Sequence, residues 1–167
     1  VNTPNSGRSV VVFHPVSGQV KKNLRPGFWH RLMNRFRKRA GTGGYPMIVL
    51  LGPAEEKHRE AFEASLATGE DQLIYCPSGD RLMSVLDEAI LFIGHDSGIS
   101  HLAAMLGAPT ISLFKASDPV QWRPLGPSVR VIRDSISEDG LVATVMQTAV
   151  PFIPQMGESA PPLELVV

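Results

Sequence analysis

A single cysteine, Cys76, in 167 residues leaves no internal disulfide to staple the fold and fits a reducing compartment. With no base beside it in sequence, that thiol reads as a small buried hydrophobe rather than a nucleophile. Neither sign of charge is in excess: 16 Lys and Arg balance 16 Asp and Glu, which argues against a general nucleic-acid binder. No apolar run approaches the roughly 20 residues that cross a bilayer. Asp-x-Asp pairs are missing, as are His and Cys at ligand spacing, so neither a metal nor a cofactor is expected. No segment repeats. What is there is 43% hydrophobic and 19% charged, the balance of an ordinary globular domain with one sizeable core. The chain opens on Val rather than Met, and it is expected to be part of a longer one.

The most informative stretch runs from Ala89 to Phe114, AILFIGHDSGISHLAAMLGAPTISLF. Ala89–Ile93 reads as a buried strand that breaks at Gly94 into His95-Asp96-Ser97-Gly98. A helix over Gly98–Leu106 ends at Gly107, Pro109 stops it, and Thr110–Phe114 is the next strand. Such a βαβ unit carries its polar turn at the carboxyl end of a strand, the edge where open parallel sheets bind ligands. The first N–H groups of the helix have no internal partner and lie at the positive end of its dipole. Asp96 or Ser97 can cap it. Gly98 lets an anion approach the backbone, so the corner suits a phosphate. His101, one turn beyond Ser97 on the same side, can offer an N–H to a phosphate oxygen. The plainer reading of these residues is a capped helix with a satisfied core-edge histidine.

GHDSGISHLAAMLGAPTISLF resembles the donor-site signature of glycosyltransferase family 9, the ADP-heptose:lipopolysaccharide heptosyltransferase family. Members carry a similar D-[ST]-G-x-x-H-[LI]-A-A run followed by a G-x-P-T strand. SDPVQWRPLG is similar to their T-D-P-x-x-W-x-P-x-G. The likeness extends more loosely over Val10 to Arg133 and covers the family's C-terminal half. Two upstream loops also match. After the apolar strand Val10–Phe13 comes HPVSGQVKK, a small-residue loop with a hydroxyl and lysines that suits an oxyanion. The family's P-G-[SA]-x-x-x-K-x-W-P loop places Ser17 and Lys22 on the donor, although Val16 stands for its Gly and Asn23-Leu24-Arg25-Pro26 for its K-x-W-P. A second strand, Pro46–Leu51, exits through Gly52-Pro53-Ala54-Glu55. The family's G-G-P-x-E turn gives Glu55 the ribose hydroxyls, while position alone makes Glu55 equally a first-turn acid. Lys115 replaces a family glycine near the donor, either adding a charge for a diphosphate or crowding it.

The remaining elements alternate. Pro26–Arg39 is an amphipathic helix with Phe28, Leu32, Met33 and Phe36 inward. Its basic face, Arg31, Arg35, Lys38 and Arg39, is a solvated face or, as the lesser alternative, a contact with an anionic membrane. Ala40–Tyr45 is a Gly-rich turn. A helix from Glu55 to about Leu66 turns Phe62 and Leu66 inward. Gln72–Cys76 is a third strand, Asp80–Glu88 a short helix bearing Leu82, Met83 and Leu86, Val129–Arg133 a last strand, and Glu138–Val150 a closing helix. The expected organisation is a linker (1–9), an α/β domain (10–150) and a Pro-rich tail (151–167). The fold is a Rossmann-like parallel sheet of about six strands with helices on both faces, which the resemblance makes the C-terminal half of a GT-B fold.

The resemblance implies a donor-binding half of an inverting, metal-independent glycosyltransferase of lipopolysaccharide or cell-surface glycan synthesis. Its donor would be a nucleotide-diphosphate sugar of the ADP-heptose kind. Donor-binding residues would be Ser17, Lys22, Glu55, Asp96, Ser97, Gly98 and His101. The catalytic base and the glycan or lipid-linked acceptor would belong to an N-terminal domain that the likeness does not cover, so this half alone should bind donor but transfer little. Its place would be cytoplasmic, with the inner face of the plasma membrane as the narrower alternative. Two other readings compete: a non-catalytic GT-B-like nucleotide-binding module, and another GT-B enzyme such as a sugar-nucleotide 2-epimerase.

Overall fold

A computed structural model describes residues 8–40, 44–66, 69–134 and 137–153. Most of the expected lead-in and tail, and the middle of the Gly-rich turn, lie outside the described residues. Six strands, β1 (Val10–His14), β2 (Met47–Leu51), β3 (Gln72–Tyr75), β4 (Ala89–His95), β5 (Thr110–Phe114) and β6 (Val129–Arg133), form one sheet in the order β3-β2-β1-β4-β5-β6. Every pairing is parallel. The sheet is therefore the expected Rossmann-like one, and its order reverses between β1 and β4.

Strands β1, β2 and β5 are buried along their whole length. Near-continuous apolar runs are what a sheet covered on both faces demands. Val11, Phe13, Met47, Val49, Leu51, Leu91 and Ile93 pack to one side, against α1 (Pro26–Ala40) and α6 (Glu138–Ala149). Val10, Val12, Ile48, Leu50 and Phe92 face the other side, against α3 (Gly79–Asp87) and α4 (Gly98–Met105). The alternation is the period of two that a pleated strand imposes. α1 buries Phe28, Leu32, Met33 and Phe36 as its stripe requires. Its basic face is partly committed, since Arg31 donates to Glu138 of α6.

Several details differ from the sequence expectations. β4 does not break at Gly94 but runs on to His95, because Gly94 keeps its place in the ladders with β1 and β5. The segment after β2 is a 3-10 turn (Pro53–His58) followed by a short α2 (Arg59–Glu63), not one helix to Leu66. Pro53 and the acids of the first turn announce a helix start equally well for either winding. Cys76 is exposed, not buried. It follows edge strand β3, and its left-handed φ of 47° turns the chain out of the sheet. In α3, Leu86 is buried and Met83 exposed. The run Pro119–Trp122 forms a short α5 capped by Asp118.

Candidate functional site

Loops leaving β1 and β4 meet where the strand order reverses, the position at which sheets of this kind open a crevice. The β4 loop is two residues long, because β4 continues to His95 and α4 starts at Gly98. Ser97 is the N-cap, its Oγ accepting from the Ser100 N–H at 3.4 Å. Ser100 Oγ in turn donates to the His95 carbonyl. The N–H groups of Gly98 and Ile99 are left without partners inside the helix. Gly98 is exposed, and a Cβ built on it would meet nothing within 4 Å. The amino end of α4 is thus an open, partially positive corner.

Asp96 does not cap. Its Oδ2 accepts from Lys22 Nζ at 2.6 Å and from Ser117 Oγ at 2.6 Å. His101 Nε2 stands 3.7 Å from Oδ1. Burial would raise the Asp96 pKa, but the hydrogen bonds from Lys22 and Ser117 and the charges of Lys22 and His101 outweigh it and hold the carboxyl below its usual range. Lys22 arrives from the β1 loop, whose 3-10 turn (Val20–Lys22) leaves Lys21 exposed and turns Lys22 inward. The loop is braced from within. Asn23 Oδ1 accepts from the Ser17 N–H at 2.8 Å and from Ser17 Oγ at 2.9 Å, and Asn23 Nδ2 donates to the Ser17 carbonyl at 3.0 Å. It is also tied across the switch point: the Leu24 N–H donates to His95 Nε2 at 3.2 Å, and Lys115 Nζ to the Asn23 carbonyl at 3.1 Å.

The structure thus gathers Lys22, Asp96, Ser97, Gly98 and His101 into one corner. Ser17 lies in the lysine loop, and its hydroxyl is engaged by Asn23 and Gln19. Glu55 stands apart at the exit of β2, where its Oε2 reaches back to accept the Gly52 N–H at the start of the 3-10 turn. A Cβ at Gly52 would come within 2.7 Å of that oxygen, so a larger residue there would displace the Glu55 carboxylate. Gly52 and Pro53 form a wall of a cavity of about 190 Å³, together with His14, Leu50, Cys76 and Ile99. His14 is buried, its Nδ1 has no hydrogen-bond partner, and burial pushes its pKa down to about 4. A second cavity, about 250 Å³, lies beside the lysine loop against Ser17, Asn23, Trp29 and Lys57.

Sequence reasoning passed over Asn23, His95 and Ser117. Two of them sat in plain view. Ser117 is in the SDP run, and His95 immediately precedes Asp96, so strand alternation sends the two side chains to opposite sides.

The sequence profile of glycosyltransferase family 9 (heptosyltransferase) matches residues 2–145. Lipopolysaccharide heptosyltransferase 3 of Escherichia coli (strain K12) is 31% identical over 117 residues, which are 68% of this chain and 33% of that protein. Lipopolysaccharide heptosyltransferase 2 of Salmonella typhimurium is 32% identical over 99 residues, 54% of this chain and 27% of that protein. Among solved structures, E. coli heptosyltransferase WaaC with ADP superposes with a TM-score of 0.70 at 20% identity, covering 89% of this chain and 47% of that one. The family 9 glycosyl transferase from Veillonella parvula gives 0.71 at 17%, covering 87% and 46%. The chain thus spans a third of the length of the first relative and under half of each solved chain. At those identities the solved structures establish a shared fold, one Rossmann-like half of the GT-B architecture. Profile and relatives carry the rest: this chain belongs to glycosyltransferase family 9, the heptosyltransferase family.

Proposed function

We propose that this chain is the donor-binding half of an inverting glycosyltransferase that works without a metal in lipopolysaccharide synthesis, and that it holds a nucleotide-diphosphate sugar of the ADP-heptose kind. The observation that carries this reading is the open amino end of α4 at the switch point, with Lys22 and His101 beside it. Transfer breaks the bond between the anomeric carbon and the diphosphate, and negative charge grows on the departing phosphate. Fixed donors aimed at that charge lower the barrier most. Here they are the Gly98 and Ile99 amides, Lys22 and His101. The diphosphate lies over Gly98, where no Cβ intrudes, and Lys22 is shared between it and Asp96. The nucleoside occupies the cavity of about 190 Å³ whose wall Glu55 shapes through Gly52. Among the described residues no group of three metal-ligating side chains converges.

An N-terminal half supplies the base and the glycan or lipid-linked acceptor at the inner face of the plasma membrane. Arg35 and Lys38 of α1 are exposed for such a contact, and no described helix is long and apolar enough to cross the bilayer. A second reading, a binding module without chemistry, is favoured by the internal commitments of Ser17, Lys22 and Glu55.

Thermal shift and calorimetry with ADP, GDP and UDP test the proposal. A ligand at a hundred times its Kd adds about 2.7 kcal/mol of stability, a shift of several degrees. ADP is expected to give the largest shift, with no transfer from ADP-heptose to an acceptor by this chain alone. Absence of response to all three nucleotides overturns the donor reading, and turnover by the isolated chain overturns the division of labour.

A further inference from the structure

His95 is fully buried at the end of β4, its Nδ1 without a hydrogen-bond partner and its ring anchored through Nε2. Its Nε2 accepts the Leu24 N–H at 3.2 Å, and Trp29 packs edge-on against the ring with centroids 5.2 Å apart. Its carbonyl accepts from Ser100 of α4. One residue therefore touches the β1 loop, α1 and α4. The Asn23–Ser17 bonds lie inside the β1 loop and fix its shape, but they cannot fix its position along β4. Leu24 is buried, two residues after Lys22, and its amide is tied directly to the residue preceding Asp96. Lys115 also reaches the loop, from an exposed and flexible side chain. Lys21 is exposed next to Lys22, so a slip of one residue presents the wrong ammonium.

We propose that His95 is a positioning residue: by accepting the Leu24 N–H, it holds the β1 loop in the register that places Lys22, not Lys21, on Asp96 at the open end of α4. Its importance for donor binding rests on the reading given above, but its effect on Lys22 does not. An apolar side chain would fill the space beside Trp29 and leave the Leu24 amide with no acceptor. Glutamine keeps an acceptor near the position of Nε2.

The experiment compares the full chain with His95→Leu and His95→Gln. Reductive methylation without nucleotide, resolved at Lys21 and Lys22 by tandem mass spectrometry, reads the register. In the native chain and His95→Gln, Lys22 is expected to react severalfold more slowly than Lys21, and in His95→Leu the two rates converge. Lys22 protection that survives in folded His95→Leu overturns the proposal. If His95→Leu does not fold, His95→Gln decides, because loss of Lys22 protection there overturns it equally. ADP affinity is then measured with and without Lys22→Met. His95→Leu should weaken binding about tenfold in the native background and under about twofold once Lys22 is gone. Equal losses in both backgrounds mean that His95 does not act through Lys22. If Lys22 protection follows His95 while no variant binds ADP, the donor reading fails and the positioning stands.

Discussion

Lowering the pH to 5 should destabilise this chain before any of its tightly held carboxylates titrates. His14 and His95 are both buried, and burial drives their pKa values from 6.5 down to about 4 and about 3, with the charge of His14 adding to the fall at His95. Unfolding returns each ring to an ordinary value, so below pH 6.5 the unfolded chain binds protons that the folded chain refuses. Stability must then fall as pH falls, from the unfolded value down through the folded ones. Working each ring between pH 7 and pH 5 gives a loss of about 2 kcal/mol, and about 4 kcal/mol for the two. For a chain of this size that is a drop of roughly 10 °C in Tm. His30, also lowered by burial, pushes the same way. Asp96 and Glu138 are held below their ordinary range, so their contributions are lost only in stronger acid. Urea titrations at pH 7, 6 and 5 would measure the slope. His14→Leu isolates one ring; its unpartnered Nδ1 makes the replacement tolerable, and the fall between pH 7 and 5 should be about halved. Equal stability at pH 7 and 5, or an undiminished fall in His14→Leu, would refute the assignment of these rings as buried and neutral.

Other outcomes follow from single contacts. Lys22→Met should weaken ADP binding about tenfold and lower stability by about 1–2 kcal/mol, since it strips a partner from a buried carboxylate; calorimetry and urea unfolding read the two separately. Gly52→Ala should expel the Glu55 carboxylate from the Gly52 amide at a loss of about 1–2 kcal/mol in urea unfolding, whereas Gly98→Ala, with open space around it, should leave stability within about 1 kcal/mol. Phe62→Ala empties a fully buried site against His30 and should lose about 3–5 kcal/mol. Glu138→Gln loosens Arg25 and Arg31, and because the Arg25 side chain is 80% exposed the loss should stay below about 1 kcal/mol and vanish in high salt.

The sheet was legible because its strands are short apolar runs between Gly, Pro and polar turns. Thr110–Phe114 and Val129–Arg133 have the expected bounds, and Met47–Leu51 begins one residue later than expected. Such runs depend on local chemistry alone. Errors fell where the outcome depended on something distant. Cys76 ends an apolar run and reads as buried, but β3 is an edge strand, and edge position is a property of the whole sheet. The segment after Gly52 carries a proline and two acids in its first turn and still winds first as a 3-10 turn, since those signals specify the first turn and not the pitch that follows.

The corner at Asp96 follows the same logic. Asp96 and Ser97 are both good caps, and nothing within the motif chooses between them. Lys22, 74 residues upstream, makes the choice when the fold brings it across the switch point to the carboxylate. A cation held at 2.6 Å outweighs a neutral amide as partner for a buried carboxylate, so the cap falls to the serine. The consequence is electrostatic, and it bears on the proposed donor site. Had Asp96 capped α4, its charge would have cancelled the positive end of the helix; with Ser97 there instead, the amides of Gly98 and Ile99 keep their attraction for an anion, and Lys22 neutralises the acid that would repel it.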